Sequence, residues 1–175
     1  MSFGKASISE ICYDYIRDIL PEGKTILEFG SGWATGKLSE HYKMISIEHD
    51  SRYIEQYDSD YIYASIKLYD DVYTAPDIPE NDGWFDISAI QLNLLDKEYD
   101  MILVDGPPGW KNSAGHDKTI GRAGFLKHID LFNTDVPIII DDINRNPEMI
   151  LLERVSSHLN KSYKILDDKV TGVIL

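Results

Sequence analysis

A glycine cluster set between an apolar run and a helical pattern narrows what this chain can fold into. Thr25-Ile26-Leu27-Glu28-Phe29 leads directly into Gly30-Ser31-Gly32-Trp33-Ala34-Thr35-Gly36. Lys24 to Phe29 reads as a short buried strand that breaks into a glycine-rich turn and enters a helix around Thr35 to His41. A second strand, Lys43 to Ile47, follows, and Glu48 ends it with an acid. Strand, glycine turn, helix, strand, acid is the order in which an open α/β sheet holds the ribose of a nucleoside-type cofactor. The same order is met by a dinucleotide site, by a site for a smaller nucleoside ligand, and by a plain strand-to-helix turn.

The rest of the chain continues the alternation. A helix is predicted from Ser9, with Ile11, Tyr15, Ile16 and Ile19 on one face and Pro21 ending it. Arg52 to Tyr57 reads as a short helix and Tyr61 to Ile66 as a third strand. Lys67 to Gly83, with Pro76, Pro79 and Asn81-Asp82-Gly83, reads as a functional loop. Asp86 to Leu94 is predicted helical, and Tyr99 to Val104 is a fourth strand broken by Asp105-Gly106-Pro107-Pro108-Gly109. After a loop to about Ile120, a helix is expected from Arg122 to Phe132. Val136 to Ile140 reads as a strand buried on both faces, and Glu148 to Leu159 as a helix. Tyr163 to Leu166 and Gly172 to Leu175 are joined by a short polar turn at Asp167-Asp168-Lys169, so these last strands must pair antiparallel. The expected fold is α/β: one domain over residues 1–175, with a Rossmann-like, mostly parallel sheet and helices on both faces.

Composition bounds the partners. A formal net charge of −13, with no Lys/Arg-rich run, disfavours nucleic acid and anionic membrane surfaces. No apolar run approaches the roughly 20 residues that span a bilayer, and Met1 to Lys5 has no apolar signal core, so a cytoplasmic location is expected. A lone Cys12 excludes an intramolecular disulfide and sits on the apolar face of the first helix.

Acids mark the carboxyl ends of the strands: Glu28, Glu48, Asp105, and Asp141 with Asp142. Gly30, Gly32 and Gly36 allow a sharp turn and close approach to a ligand. Glu28 lies just inside its strand, where a carboxylate is costly unless paired, and suits an ammonium group or a loop N–H. A carboxylate at Glu48 can accept two ribose hydroxyls. Beside it, His49 and Asp50 also read as caps of the next turn. Trp33, Trp84, Phe85 and Trp110 can each wall a ring or simply pack, and the tyrosines from Tyr53 to Tyr73 read as packing.

These residues resemble the class I S-adenosylmethionine-dependent methyltransferases. Glu28-Phe29-Gly30-Ser31-Gly32 is similar to that family's first motif, Glu48 to its ribose acid, and the paired final strands to its sheet, in which the seventh strand inserts antiparallel. A narrower resemblance joins Asp105-Gly106-Pro107-Pro108-Gly109, Gly121-Arg122-Ala123-Gly124 and Asp141-Asp142-Ile143-Asn144-Arg145. That combination is similar to small bacterial methyltransferases found among glycan and natural-product genes and, in outline, to plant xylan sugar O-methyltransferases.

The resemblance implies S-adenosylmethionine held by Glu28, Gly30, Ser31, Gly32, Trp33, Glu48, His49 and Asp105, and methyl transfer to a hydroxyl of a small polar or glycan acceptor. It places the fourth and fifth strands side by side, so Asp105, Asp141 and Asp142 would converge and repel unless a cation or proton intervened. Such hard oxygen ligands suit Mg²⁺; the competing reading is a helix cap and a loop-orienting acid without metal. Asp105, His116 and Arg122 are the candidate catalytic residues: His116 as a base, Arg122 and also Arg145 as substrate contacts or neutralisers of the acids. With no inserted domain, an acceptor lid must come from residues 1–8, Lys67–Gly83 or Lys111–Ile120, or from a second subunit, and a homodimer is compatible with that.

Three other readings compete. An N-methyltransferase motif would need an aromatic residue where Gly109 stands. A nicotinamide oxidoreductase would need a different strand ending. A non-catalytic module would bind the nucleoside alone.

Overall fold

A computed structural model describes residues 7–69, 78, 82–111 and 119–175. In chain order the elements are α1 (Glu10–Ile19), β1 (Thr25–Phe29), α2 (Trp33–Leu38), β2 (Lys43–Glu48), β3 (Asp60–Tyr63), β4 (Ile66–Leu68) and β5 (Gly83–Phe85). There follow α3 (Ile87–Leu94), β6 (Met101–Val104), β7 (Trp110–Lys111), β8 (Thr119–Ile120), α4 (Gly124–Lys127), a 3₁₀ turn (Ile129–Leu131), β9 (Ile138–Ile140), α5 (Asn146–Leu159), β10 (Tyr163–Ile165) and β11 (Gly172–Ile174). The main sheet has seven strands in the order β10-β11-β9-β6-β1-β2-β3, while β4-β5 and β7-β8 are separate pairs. β3, β2, β1, β6 and β9 run parallel, and β11 is antiparallel to both β9 and β10. The expected α/β architecture, with its antiparallel ending, is therefore the observed one.

The chain leaves β1 for β2 and β3 on one side and returns to β6 and β9 on the other. The β1–β6 junction is thus a switch point, the position at whose carboxyl ends sheets of this kind hold their ligands. Side chains alternate across the sheet. Leu27, Phe29, Ile45, Ile47, Ile102 and Val104 pack with Leu151, Leu152 and Val155 of α5 and with Trp84, Phe125 and Phe132. Ile26, Met44, Met101, Leu103 and Ile139 pack on the other face, with Cys12 and Ile16 of α1 and Leu38 of α2. Extending the period of two puts Glu28, Ser46, Glu48, Asp105 and Asp141 on that second face. These five polar groups share one side because each continues, in steps of two residues, a strand face that begins apolar.

Several elements differ from expectation. Residues 52–57 form turns rather than a helix, with Glu55 at φ +62° interrupting any helical run. The third strand stops at Tyr63, and Ile66–Leu68 pairs instead with Gly83–Phe85. The helix expected from Arg122 to Phe132 is a four-residue α4 followed by the 3₁₀ turn. Of the two readings offered for Trp84 and Phe85, packing is the one observed: they are buried around Phe29, whose centroid lies 5.2 Å from Trp84 and 5.3 Å from Phe132. Among the described residues no helix is long and apolar enough to cross a membrane.

Candidate functional site

The glycine turn is built against the turn after β6. Gly30 has φ +90°, and a Cβ there would lie 3.1 Å from Gly106 Cα. A Cβ on Gly106 would lie 2.9 Å from Gly30 Cα. Two backbones touch where the β1 and β6 loops start, so both positions require glycine. Gly36 has another reason: a Cβ would meet the Tyr57 ring at 2.6 Å. Around Gly32 a Cβ would meet nothing within 4 Å among the described residues, and its φ of −172° is ordinary extended backbone.

Glu48 is buried at the end of β2. Its Oε2 accepts the Ser31 N–H at 2.8 Å, and its Oε1 accepts the N–H groups of His49 and Asp50, each at 2.7 Å. His49 Nδ1 lies 2.9 Å from the same Oε1. Burial opposes ionisation, but these donors outweigh it and hold Glu48 below the usual carboxylate range. Trp33, the first residue of α2, is partly exposed with Lys37 Nζ 5.7 Å from its ring.

Glu28 lies below the turn, not in it. It is buried and pairs in register with Ser46 of β2. The hydroxyls of Thr35 and Ser46 donate to its Oε1 at 2.7 and 2.5 Å. Where the sequence suggested an ammonium group or a loop N–H, the partners among the described residues are these two hydroxyls. Three residues of this layer, Thr35, Ser46 and Tyr61, were not singled out from sequence as site residues. Ser46 was the readable signal: a serine in the apolar run Met44-Ile45-Ser46-Ile47 needs a partner when buried. Tyr61, read as packing, places its hydroxyl 2.9 Å from Ser31 Oγ.

Across the β6–β9 edge the three aspartates do converge. One oxygen from each of Asp105, Asp141 and Asp142 can be chosen so that all lie within 4.8 Å of one another. Arg122, which precedes α4, is buried among them. Its Nη2 donates to Asp142 Oδ2 at 2.8 Å, to Asp105 Oδ1 at 3.1 Å and to the Asp105 carbonyl at 2.7 Å, while Nη1 donates to the Asp141 carbonyl. Burial pushes Asp105 well up; Arg122 pulls it back, and Asp141 and Asp142 push it further. Burial, with Asp142 beside it, likewise raises Asp141 to about 6. Asp141 Oδ1 is buried with no hydrogen-bond partner among the described residues. Asp142 sits at φ +59°, and Arg145 bridges toward it at 4.0 Å and to Glu148 at 3.3 Å.

Three carboxylate oxygens within 4.8 Å of one another, one of them from an acid with an orphaned lone pair, are the donor type a hard divalent cation takes. Arg122 already takes one oxygen of Asp105 and one of Asp142, so the protein supplies part of the countercharge itself. Of the other sequence-predicted groups, His116 and Asp117, the side chains of Trp110 and Lys111, Tyr73, and most of the loops named as lids lie outside the described residues. Comparison of the chain with protein-family models and with curated proteins gives no match to either.

Proposed function

We propose that this chain is an S-adenosylmethionine-dependent methyltransferase acting on a hydroxyl oxygen of a small polar acceptor, such as a sugar or a glycan or natural-product intermediate. The observation that carries the reading is the contact between the Gly30 and Gly106 turns at the switch point, with the buried Glu48 carboxylate on the Ser31 N–H. A sheet whose last strand inserts antiparallel beside β9 supports it.

In this reading Glu48 Oε2, which accepts one hydrogen bond among the described residues, keeps a lone pair for a ribose hydroxyl. Gly32 leaves room for the ligand to approach the backbone. The bound donor supplies an electrophilic methyl on a sulfonium, and the protein's main contribution is to hold acceptor oxygen and methyl in line. Asp105, a quarter exposed and raised by burial, is the described residue suited to take the acceptor proton; Arg122 fixes its orientation. His116 keeps its sequence-based role as the alternative base. Asp105, Asp141 and Asp142 would hold Mg²⁺, whose chemistry is to lower the pKa of a coordinated hydroxyl.

Calorimetric titration with S-adenosylhomocysteine, repeated with Mg²⁺ and with EDTA, tests the proposal. Saturable one-site binding is expected. Failure to bind, together with binding of NADH, would replace the methyl-donor reading with a dinucleotide one. Identical heats with Mg²⁺ and EDTA, and no Mg²⁺ binding on its own, would remove the metal from it.

A further inference from the structure

The buried carboxylate under the glycine turn has hydroxyl partners and, among the described residues, no cation bonded to it. From Glu28 the bonds climb into the turn. Thr35 gives its hydroxyl proton to Glu28 and accepts the Gly32 N–H at 2.9 Å. Thr35 Oγ1 also lies 3.2 Å from Ser31 Oγ, which Tyr61 contacts at 2.9 Å. On the other branch Ser46 donates to Glu28 and meets Ser59 Oγ at 2.6 Å.

A hydroxyl has one proton to give. The pattern therefore needs a common acceptor at its base, and an ionised Glu28 is that acceptor. Protonation leaves a neutral acceptor roughly half as strong. With the proton on Oε2, Oε1 still accepts from Thr35 and Ser46, but as a neutral carbonyl. The weaker bond loosens the hold of Thr35 on Gly32.

We propose that Glu28 is the positioning residue of the donor turn: it holds Gly32 and Ser31 through Thr35 only as a carboxylate, so that acid weakens nucleoside binding while Glu48 is still ionised. This rests on the proposed donor site and assigns its regulation. The charges around Glu28 agree. Burial pushes it up to about 7; the bonds from Ser46 and Thr35 pull it back, and the charge of Glu48 on β2 pushes it further up. Glu28 acts in turn on Tyr61 of β3 and on Asp105 at the end of β6. From α2 it meets Thr35, which does not titrate. Glu48, held low by its own donors, stays charged across the window in which Glu28 changes.

The test is calorimetric titration with S-adenosylhomocysteine at about pH 8 and about pH 6. If only the carboxylate form binds well, apparent affinity follows its population and falls about tenfold between them. Glu28→Gln, which keeps the shape without the charge, should bind weakly at both values and show a flat profile. A readout independent of affinity is the ¹³C resonance of the Glu28 carboxyl, assigned by its loss in Glu28→Gln. It should titrate near neutrality in the free protein and at lower pH in the complex, as linkage requires. Wild type and Glu28→Gln binding alike at both pH values would overturn the inference. If Glu28→Gln fails to fold, a wild-type carboxyl titration that the ligand does not move would overturn it. Absence of binding at every pH would instead overturn the donor-site reading.

Discussion

Of the three glycines in the turn, Gly32 is the one whose added side chain would strike nothing among the described residues. Gly32→Ala should therefore leave stability within about 0.5 kcal/mol of wild type. It should still weaken S-adenosylhomocysteine about tenfold or more, because the methyl enters space the ligand needs. Gly30→Ala should fail earlier: φ +90° and the 3.1 Å approach to Gly106 put the cost in the fold, at least about 1–2 kcal/mol. Thermal melts and titration of the two variants separate these roles, and a Gly32→Ala protein that binds normally would place the ligand elsewhere. From sequence the glycines looked alike. The two carboxylates were told apart by position, Glu28 just inside its strand and Glu48 at a strand end, but not by partners: one carries hydroxyls beneath the turn and the other accepts its backbone N–H.

Arg122 joins elements that are otherwise held by short strands. Its guanidinium bridges the ends of β6 and β9, where each strand has only three or four residues. It also carries the countercharge for Asp105 and Asp142. Arg122→Met should destabilise by about 1–3 kcal/mol, since it leaves two carbonyls and the half-buried Asp105 and Asp142 without their donor. Arg122→Lys should recover little, because one ammonium cannot reach two carboxylates and two carbonyls in the same plane. Urea unfolding of both variants checks this; a stable Arg122→Met would mean that the acids are neutralised by another route. Sequence placed an arginine near these acids but read it at a helix start. The structure puts it two residues before a four-residue helix, so its surroundings are strand ends rather than a helix dipole.

For the molecule as a whole, raised carboxylates give stability an unusual slope. Glu28 moves from 4.5 to about 7, Asp141 from 3.8 to about 6, and Asp105 upward with them. Between each ordinary value and its raised one, the folded state binds more protons than the unfolded chain. Stability therefore falls as pH rises through that window. Glu28 alone corresponds to an effect on the order of 3 kcal/mol. Glu48, Asp50, Asp100 and Asp168 are lowered and act oppositely, losing their contribution as pH falls through their depressed values. Self-repulsion of a chain at −13 is relieved in acid as well. The melting temperature of the ligand-free protein should therefore rise from about pH 8 to about pH 5.5 and drop below about pH 4. A maximum near pH 8 in circular-dichroism melts would contradict it. The gain in melting temperature from S-adenosylhomocysteine should shrink over the same acid range, so fold and site would respond to protons in opposite senses.

Local pattern was enough for the alternation of strands and helices, the antiparallel ending, and the acids at strand ends. These follow from apolar periodicity and from connections too short for a helix, which are properties of neighbouring residues. The starts of α2 and α5, each two residues earlier than expected, and the break in the helix after Arg122 depended on caps and contacts that pattern does not encode. The chemistry of the site depended on contacts across many residues: Gly30 against Gly106, Glu28 against Ser46, and Arg122 among Asp105, Asp141 and Asp142. A carboxylate's charge, partners and role are set by what stands within a few ångströms of it. Here those neighbours arrive on other strands, brought alongside by sheet register rather than by adjacency in the chain.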